Sequence, residues 1–363
     1  MVSNFYKRLN SYLYILWNIT YRCNLNCKHC MVADERKNKV QELDETSAIR
    51  LLTNVCLSDI EVKEFNFQGG EPLVATSFEP AIEWLGEHGV PWTVNTNGTL
   101  WSDRHFDLIK KYPPREIVVS LDGDSQTHDW LRGPEVFSKL QETIKIIHDI
   151  SNGAIQIDAI CVLHKKNVKN IVSVFETAAC MGIRQLVLSK LFISGNAVLN
   201  RDLLEPDPID LFNVLEIVAR LKGRFEGTDL FVQWATPLML VYFDLPIGYS
   251  GCPAIRSEVT ITPTGELQPC PNALARLQRR FGKETGFVEE HVSLLNKDLE
   301  SIRTSPLFLR IYELLHGPLS PPRHTRCLDC YYVEICQTCP SDRWIGRDEY
   351  AELCHYFQDL FMH

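Results

Sequence analysis

The stretch YRCNLNCKHC at residues 21–30 sets three cysteines, Cys23, Cys27 and Cys30, within eight residues. Thiols so close can form a disulfide, bind zinc or hold an iron–sulfur cluster. A disulfide framework belongs to oxidising compartments, and the N-terminus, which faintly resembles a signal peptide, has too short an apolar part, broken by Asn and Thr, for export to be expected. Zinc would want a fourth Cys or His nearby, and His29, adjacent to Cys30, is poorly placed to chelate with it. Three thiolates on a four-iron cubane leave one iron without a protein ligand, open to a small molecule. A second set follows at Cys252, Cys270, Cys327, Cys330, Cys336, Cys339 and Cys354. A zinc ribbon built on CLDC and CQTC would leave Cys252, Cys270 and Cys354 unexplained. Seven soft thiolates are better used by iron–sulfur clusters. Cys56, Cys161 and Cys180 sit on apolar segments and read as small buried hydrophobes.

The first cluster directly follows the apolar run YLYILWNI, the first of six β-like segments. VKEFNFQ, PWTVNTN, REIVVSLD, AIQIDAI and IRQLVLS follow, separated by helical stretches such as DETSAIRLLTNVCL, SFEPAIEWLGEHG and FSKLQETIKIIHDI. Asp44 is placed to cap the first of these helices. Such alternation predicts a parallel sheet covered by helices, with its active site at the C-terminal ends of the strands. After about residue 235 the alternation stops, and Cys, Pro and Gly become dense. The expected division is an α/β domain at 1–230, with its core at about 13–195, and a cysteine-rich domain at 231–363. The 363 residues allow one large domain and a smaller one. A formal charge of −9 gives no basic footprint, so nucleic acid is not an expected partner. No apolar run is long enough to span a bilayer, and the N-terminal segment lacks a small-residue cleavage site. The cytoplasm is the expected location.

These features resemble those of radical S-adenosylmethionine (SAM) enzymes, whose hallmark is the C-x₃-C-x₂-C spacing of Cys23, Cys27 and Cys30. The resemblance implies a partial (β/α)6 TIM-like barrel, with SAM bound at the open iron of a 4Fe–4S cluster. His29 takes the place where the family has an aromatic residue or His beside the last cysteine. By the same resemblance Gly69, Gly70 and Glu71 of FQGGEP would receive SAM, Glu71 accepting its ammonium. Thr96–Gly98 ends the third strand as TNG. Ser120 and Asp122 of SLDG resemble the family's polar contacts, Arg132 the arginine that reaches the SAM carboxylate, and Leu191 a residue packing on adenine or in the core. The later cysteines, with Gly265 between Cys252 and Cys270, resemble the SPASM extension, which holds two auxiliary 4Fe–4S clusters. Carried over, its ligation assigns Cys327, Cys330, Cys336 and Cys354 to an outer cluster and Cys252, Cys270 and Cys339 to an inner one. The inner set is one ligand short, and Pro246 stands where some relatives have a further cysteine. The last pair is spaced x₂ where the usual pattern has x₃.

SPASM proteins commonly modify ribosomally made peptides. The resemblance therefore implies a maturase (an oxidoreductase) that cross-links a precursor peptide through carbon–carbon bonds, as in a cyclophane, or through a thioether. A one-electron donor such as flavodoxin or ferredoxin is implied as a partner. Only 22 residues precede Cys23, so leader recognition is expected at another surface, on a separate protein or at an exposed sheet edge. Sulfatase-maturase-like formylglycine formation is the alternative, but Pro271 and Asn272 stand where those enzymes have an aspartate. A small-molecule dehydrogenase or epimerase, peptide epimerisation and a non-catalytic cluster-binding scaffold are the other readings.

Overall fold

The computed structural model describes residues 12–37, 41–56, 58–221, 223–224, 227–233, 237–245, 257–268, 270, 293–299, 301, 305–306, 309, 327 and 349–361. The six expected strands form as β1 (Tyr12–Thr20), β2 (Glu61–Gly69), β3 (Trp92–Thr96), β4 (Glu116–Ser120), β5 (Gln156–Val162) and β6 (Gln185–Ser189). They pair in parallel, each with the next. Parallel pairing requires crossovers, and helices supply them: α2 (Glu45–Cys56), α3 (Phe78–Glu87), α4 (Asp103–Lys111), α5 (Ser125–Arg132), α6 (Val136–Ser151) and α7 (Ile171–Cys180). A short helix, α1 (Ala33–Lys37), precedes them. Asp44 caps α2 as expected, its Oδ1 accepting the Ser47 N–H at 2.8 Å.

The sheet extends beyond the six strands on both sides. After the short helices α8 (Asn196–Leu199) and α9 (Arg201–Leu204) and the longer α10 (Pro208–Leu221), strand β7 (Asp229–Val232) pairs in parallel with β6. At the other side β8 (Glu258–Ile261) pairs in parallel with β1, and β9 (Leu267–Gln268) turns back antiparallel to β8. The nine-stranded order is β7-β6-β5-β4-β3-β2-β1-β8-β9. The sheet is therefore continuous across residue 230.

Register separates the two faces. Ile15, Trp17, Phe65, Phe67, Val94, Ile117, Ile157, Ala159, Leu186, Val259 and Ile261 share one face and are fully buried. On it Trp17 packs on Phe67 at 5.5 Å, and Phe67 meets Phe78 of α3 edge-on at 5.4 Å. The other face alternates in polarity, with Asn18, Glu64, Asn66, Gln68, Thr93, Asn95, Ser120 and Asp158. Sheets covered on both faces read as unbroken apolar runs; the alternation here marks helices on one face only. Because the strands are parallel, their C-terminal ends, and the loops that leave them, gather at one edge of the sheet.

Beyond the sheet, α12 (Glu349–Phe361) meets both α10 and α11 (Pro237–Tyr242). Phe357 of α12 packs against Phe212 at 5.3 Å and Tyr242 at 5.2 Å. No helix among the described residues is long and apolar enough to cross a membrane. Cys161 is buried as expected and Cys56 half-buried, but Cys180 is exposed. It closes the last turn of α7, whose buried face ends at Ala178.

Candidate active site

The loop carrying Cys23, Cys27 and Cys30 leaves β1 and is fastened by several elements. Thr20 O accepts the Gly70 N–H at 2.7 Å, and Arg22 O accepts that of Glu71 at 2.9 Å. This backbone contact explains the glycine: a Cβ at Gly70 would lie 2.0 Å from Arg22 O. Lys28 N–H donates to Leu131 O on α5 at 2.9 Å. From α8, Asn196 donates through its backbone to Cys30 O at 2.9 Å and through its side chain to Cys27 O at 2.9 Å. Asn200 Nδ2 reaches Lys28 O at 3.1 Å. Cys23 Sγ accepts from Leu25 N–H at 3.4 Å and from Asn97 Nδ2 at 3.9 Å. Burial raises the Cys23 thiol above its ordinary range and pushes Cys27 up to about 11. A Cys30 thiolate would raise both further, and a Cys23 thiolate would raise Cys27.

Glu71, at the end of β2, has no exposure. Its carboxyl accepts from Thr96 Oγ1 at 2.7 Å, Asn97 N at 2.7 Å and Leu73 N at 3.5 Å. Burial outweighs these donors and raises its pKa to about 7. After β4, Asp122 is fully buried, and its two oxygens take different partners. Oδ2 accepts Arg132 Nε at 2.5 Å, and Oδ1 accepts the Val162 N–H at 2.9 Å. Burial opposes both charges, but each outweighs that for the other. Asp122 is held well below the usual carboxylate range and Arg132 above its own. Arg132 Nη2 also lies 3.4 Å from His29 Nε2. The structure thus joins Asp122, Arg132 and His29, three expected site residues from separate segments. Ser120 is half-buried at the end of β4. Leu191, 3% exposed, packs with Leu131, Ala197 and Leu204.

Several residues of this edge carry no motif. Asn167, after β5, donates to Asp122 O at 3.1 Å and to Val162 O at 2.9 Å. Its Oδ1 accepts the His164 N–H at 2.7 Å. His128 Nδ1 accepts the Asp122 N–H at 3.2 Å. Burial pushes His29 down to about 3 and His128 and His164 to about 4, so all three are neutral. His29 Nδ1, His128 Nε2 and His164 Nε2 are buried without a hydrogen-bond partner. Their position at strand ends was the available signal for His164 and Asn167.

Residues 17–178, which contain the three cysteines, Glu71, Asp122 and Arg132, match the family model described as the Radical SAM superfamily. This segment is a radical SAM domain. It is 26% identical to an Fe-coproporphyrin III synthase of Methanosarcina barkeri, over 52% of this chain and 47% of that one. It is 24% identical to a PqqA peptide cyclase of Granulibacter bethesdensis, over 70% of this chain and 67% of that one. It therefore spans about half the length of the first relative and two-thirds of the second. Its fold is similar to that of Streptococcus suis SuiB bound to precursor peptide SuiA, with a TM-score of 0.70 and 18% identity over 93% of this chain and 75% of that one.

A radical SAM domain uses SAM and a 4Fe–4S cluster, and the residues present suit both. The three thiols share one loop, and burial disfavours bare thiolates at Cys23 and Cys27, so a cationic cluster would compensate their charge. No three Cys, His, Asp or Glu side chains among the described residues are gathered around the position of one ion. Thiols that each bind a different iron need not be. The orphaned imidazole nitrogens beside Arg132 are polar atoms a bound ligand would satisfy. Of the later cysteines, Cys270, Cys327 and Cys354 are among the described residues, while Cys252, Cys330, Cys336 and Cys339 lie outside them, as do Pro246, Pro271 and Asn272. Gly265 forms the turn between β8 and β9 at φ +81°. Cys327 Sγ lies 3.5 Å from Nε2 of His355, the residue after Cys354. Cys327 thus lies beside α12, the helix that carries Cys354.

Proposed function

We propose that this chain is a peptide maturase that closes an intramolecular cross-link in a ribosomally made precursor peptide. A carbon–carbon bond of the cyclophane type is the favoured product and a thioether the second. The observation that carries this reading is the extent of the alignment. The likeness to a peptide cyclase runs over 70% of the chain, while that to a porphyrin-forming synthase runs over 52%. The domain of a solved enzyme with its precursor peptide also has this fold.

Cys23, Cys27 and Cys30 would hold a 4Fe–4S cluster, which would supply the one electron for reductive cleavage of SAM to methionine and a 5′-deoxyadenosyl group that takes a hydrogen from substrate. The residues of the chain hold SAM for that event. Glu71 offers a buried carboxylate to the ammonium, and Arg132 a fixed cation to the carboxylate. Asp122 positions Arg132. The helix-free face of the sheet, with Asn66 and Asn95, supplies polar groups toward substrate. Closing one ring removes two hydrogens from the peptide. One leaves in 5′-deoxyadenosine, and the other leaves as a proton and an electron. That electron needs an acceptor. The C-terminal cysteines, read as a SPASM set with two auxiliary clusters, are the part of the chain suited to hold one.

The test is a search of the neighbouring genes for a small open reading frame and co-expression with the peptide it encodes, followed by mass spectrometry. A loss of two hydrogens per ring, with fragmentation suppressed inside the ring, is the expected result. Deuterium uptake from solvent at constant composition would instead establish epimerisation. An unmodified peptide, with a formylglycine formed in a sulfatase, would overturn the cross-linking reading.

A further inference from the structure

Beside the cysteine loop the molecule exposes an apolar ridge. On α8 and α9, Val198 is 53% exposed, Leu199 80% and Leu203 56%. The opposite sides of these helices are spoken for, with Ala197 and Leu204 packed on Leu131 and Trp130. Helix packing therefore does not explain Val198, Leu199 and Leu203, and exposed apolar side chains grouped on two touching helices mark an interaction surface. Its border is basic. Lys28, from the cysteine loop itself, and Lys166 lie over the Trp130 ring at 4.9 and 4.2 Å. Lys165 reaches from the same turn to Asp202 O on α9 at 2.8 Å. Arg201 and Glu205 neutralise each other at 2.6 Å. Three lysines thus outweigh Asp202 along this border, on a chain whose formal charge is −9. An apolar centre with a charged rim is the usual anatomy of a transient protein interface.

We infer that this ridge docks a small acidic protein that carries one electron at a time, on a flavin or an iron–sulfur group. The inference rests on the reading of Cys23, Cys27 and Cys30 as cluster ligands. Its geometric basis is that the same two helices hold the loop through Cys27 O, Lys28 O and Cys30 O. A carrier seated on the ridge lies against the loop that holds the electron acceptor. In the transfer the carrier is oxidised by one electron, the cluster is reduced by one, and no proton or bond is exchanged. The lysines steer the acidic partner, so capture weakens as salt rises.

The experiment uses the reconstituted full chain with flavodoxin as the probe, in the variants Leu199→Glu, Leu203→Glu and the pair Lys165→Glu with Lys166→Glu. Binding of oxidised flavodoxin is followed by calorimetry, and cluster reduction by bleaching of its visible absorbance. Each variant is expected to bind flavodoxin about tenfold or more weakly and to slow flavodoxin-driven reduction in proportion. Reduction by dithionite, which needs no docking, should match the wild type. Two leucine positions, both largely exposed, keep the test open should one variant fold poorly. Unchanged flavodoxin binding and reduction in all the variants would overturn the inference. So would a wild type that binds no flavodoxin, or variants that lose precursor-peptide binding alone. Failure of dithionite-reduced wild type to cleave SAM would instead overturn the cluster reading beneath it.

Discussion

At Glu71 burial and hydrogen bonding pull in opposite directions. Three donors favour the carboxylate, yet burial leaves its pKa at about 7 against an ordinary 4.5. The folded chain therefore holds a proton between those values that the unfolded chain gives up. Stability from this group is highest below about pH 4.5, falls as pH rises through 4.5 to 7, and is level above, a total of about 3 kcal/mol. Glu71→Gln should flatten that slope in urea denaturation of the metal-free chain. The same proton sets ligand affinity, since only the ionised carboxyl can pair with an ammonium. SAM should bind more weakly at pH 6 than at pH 8, and isothermal titration of the Gln variant should show weak binding at both. Gly70 tests the backbone contact beside it. Gly70→Ala places a Cβ 2.0 Å from Arg22 O and must push the cysteine loop away. A stability loss of about 1–3 kcal/mol is expected, together with poorer iron uptake on reconstitution. A variant that melts and loads like the wild type would refute the close approach.

Among the elements, the six strands from β1 to β6 were legible because each is a β-branched or aromatic run ending in a turn signal. The helix-free face was not, since it depends on register rather than on any one segment. Strands β7, β8 and β9, at four, four and two residues, are too short to show a period. The partner of β8 is β1, and no local pattern can announce a pairing so remote in the chain. The site shows the same division. The cysteines, Glu71 and Arg132 stand in recognisable motifs, whereas Asn167, Asn196 and Asn200 act through loop carbonyls and resemble ordinary turn residues. Strand β8 also carries a prediction. It lies between β1 and β9, so both its edges are hydrogen-bonded, and proline is tolerated at edges only. Thr260→Pro should cost on the order of 2 kcal/mol or more, seen as a lower melting temperature. An unchanged melting point would show that β8 is not an interior strand.

For the whole molecule the distribution of cysteines predicts a metal inventory. Three 4Fe–4S clusters require about twelve irons per chain after anaerobic reconstitution. Replacing Cys23, Cys27 and Cys30 together with Ala should leave about eight and abolish 5′-deoxyadenosine formation. A wild-type content near four with bound zinc would refute the auxiliary clusters. The pairing of β1 with β8 has a further consequence, for biosynthesis. Tyr14 finds Glu258 as its neighbour, so one edge of the first strand has no partner until the ribosome has added the intervening segment. At roughly 5–20 residues per second that takes on the order of 10–50 s. For that interval the nascent chain presents an open strand edge, prone to pairing with other chains, directly followed by three uncovered thiols. Chaperone capture and iron supply during translation, rather than after release, therefore bear on how much of this protein reaches its native state.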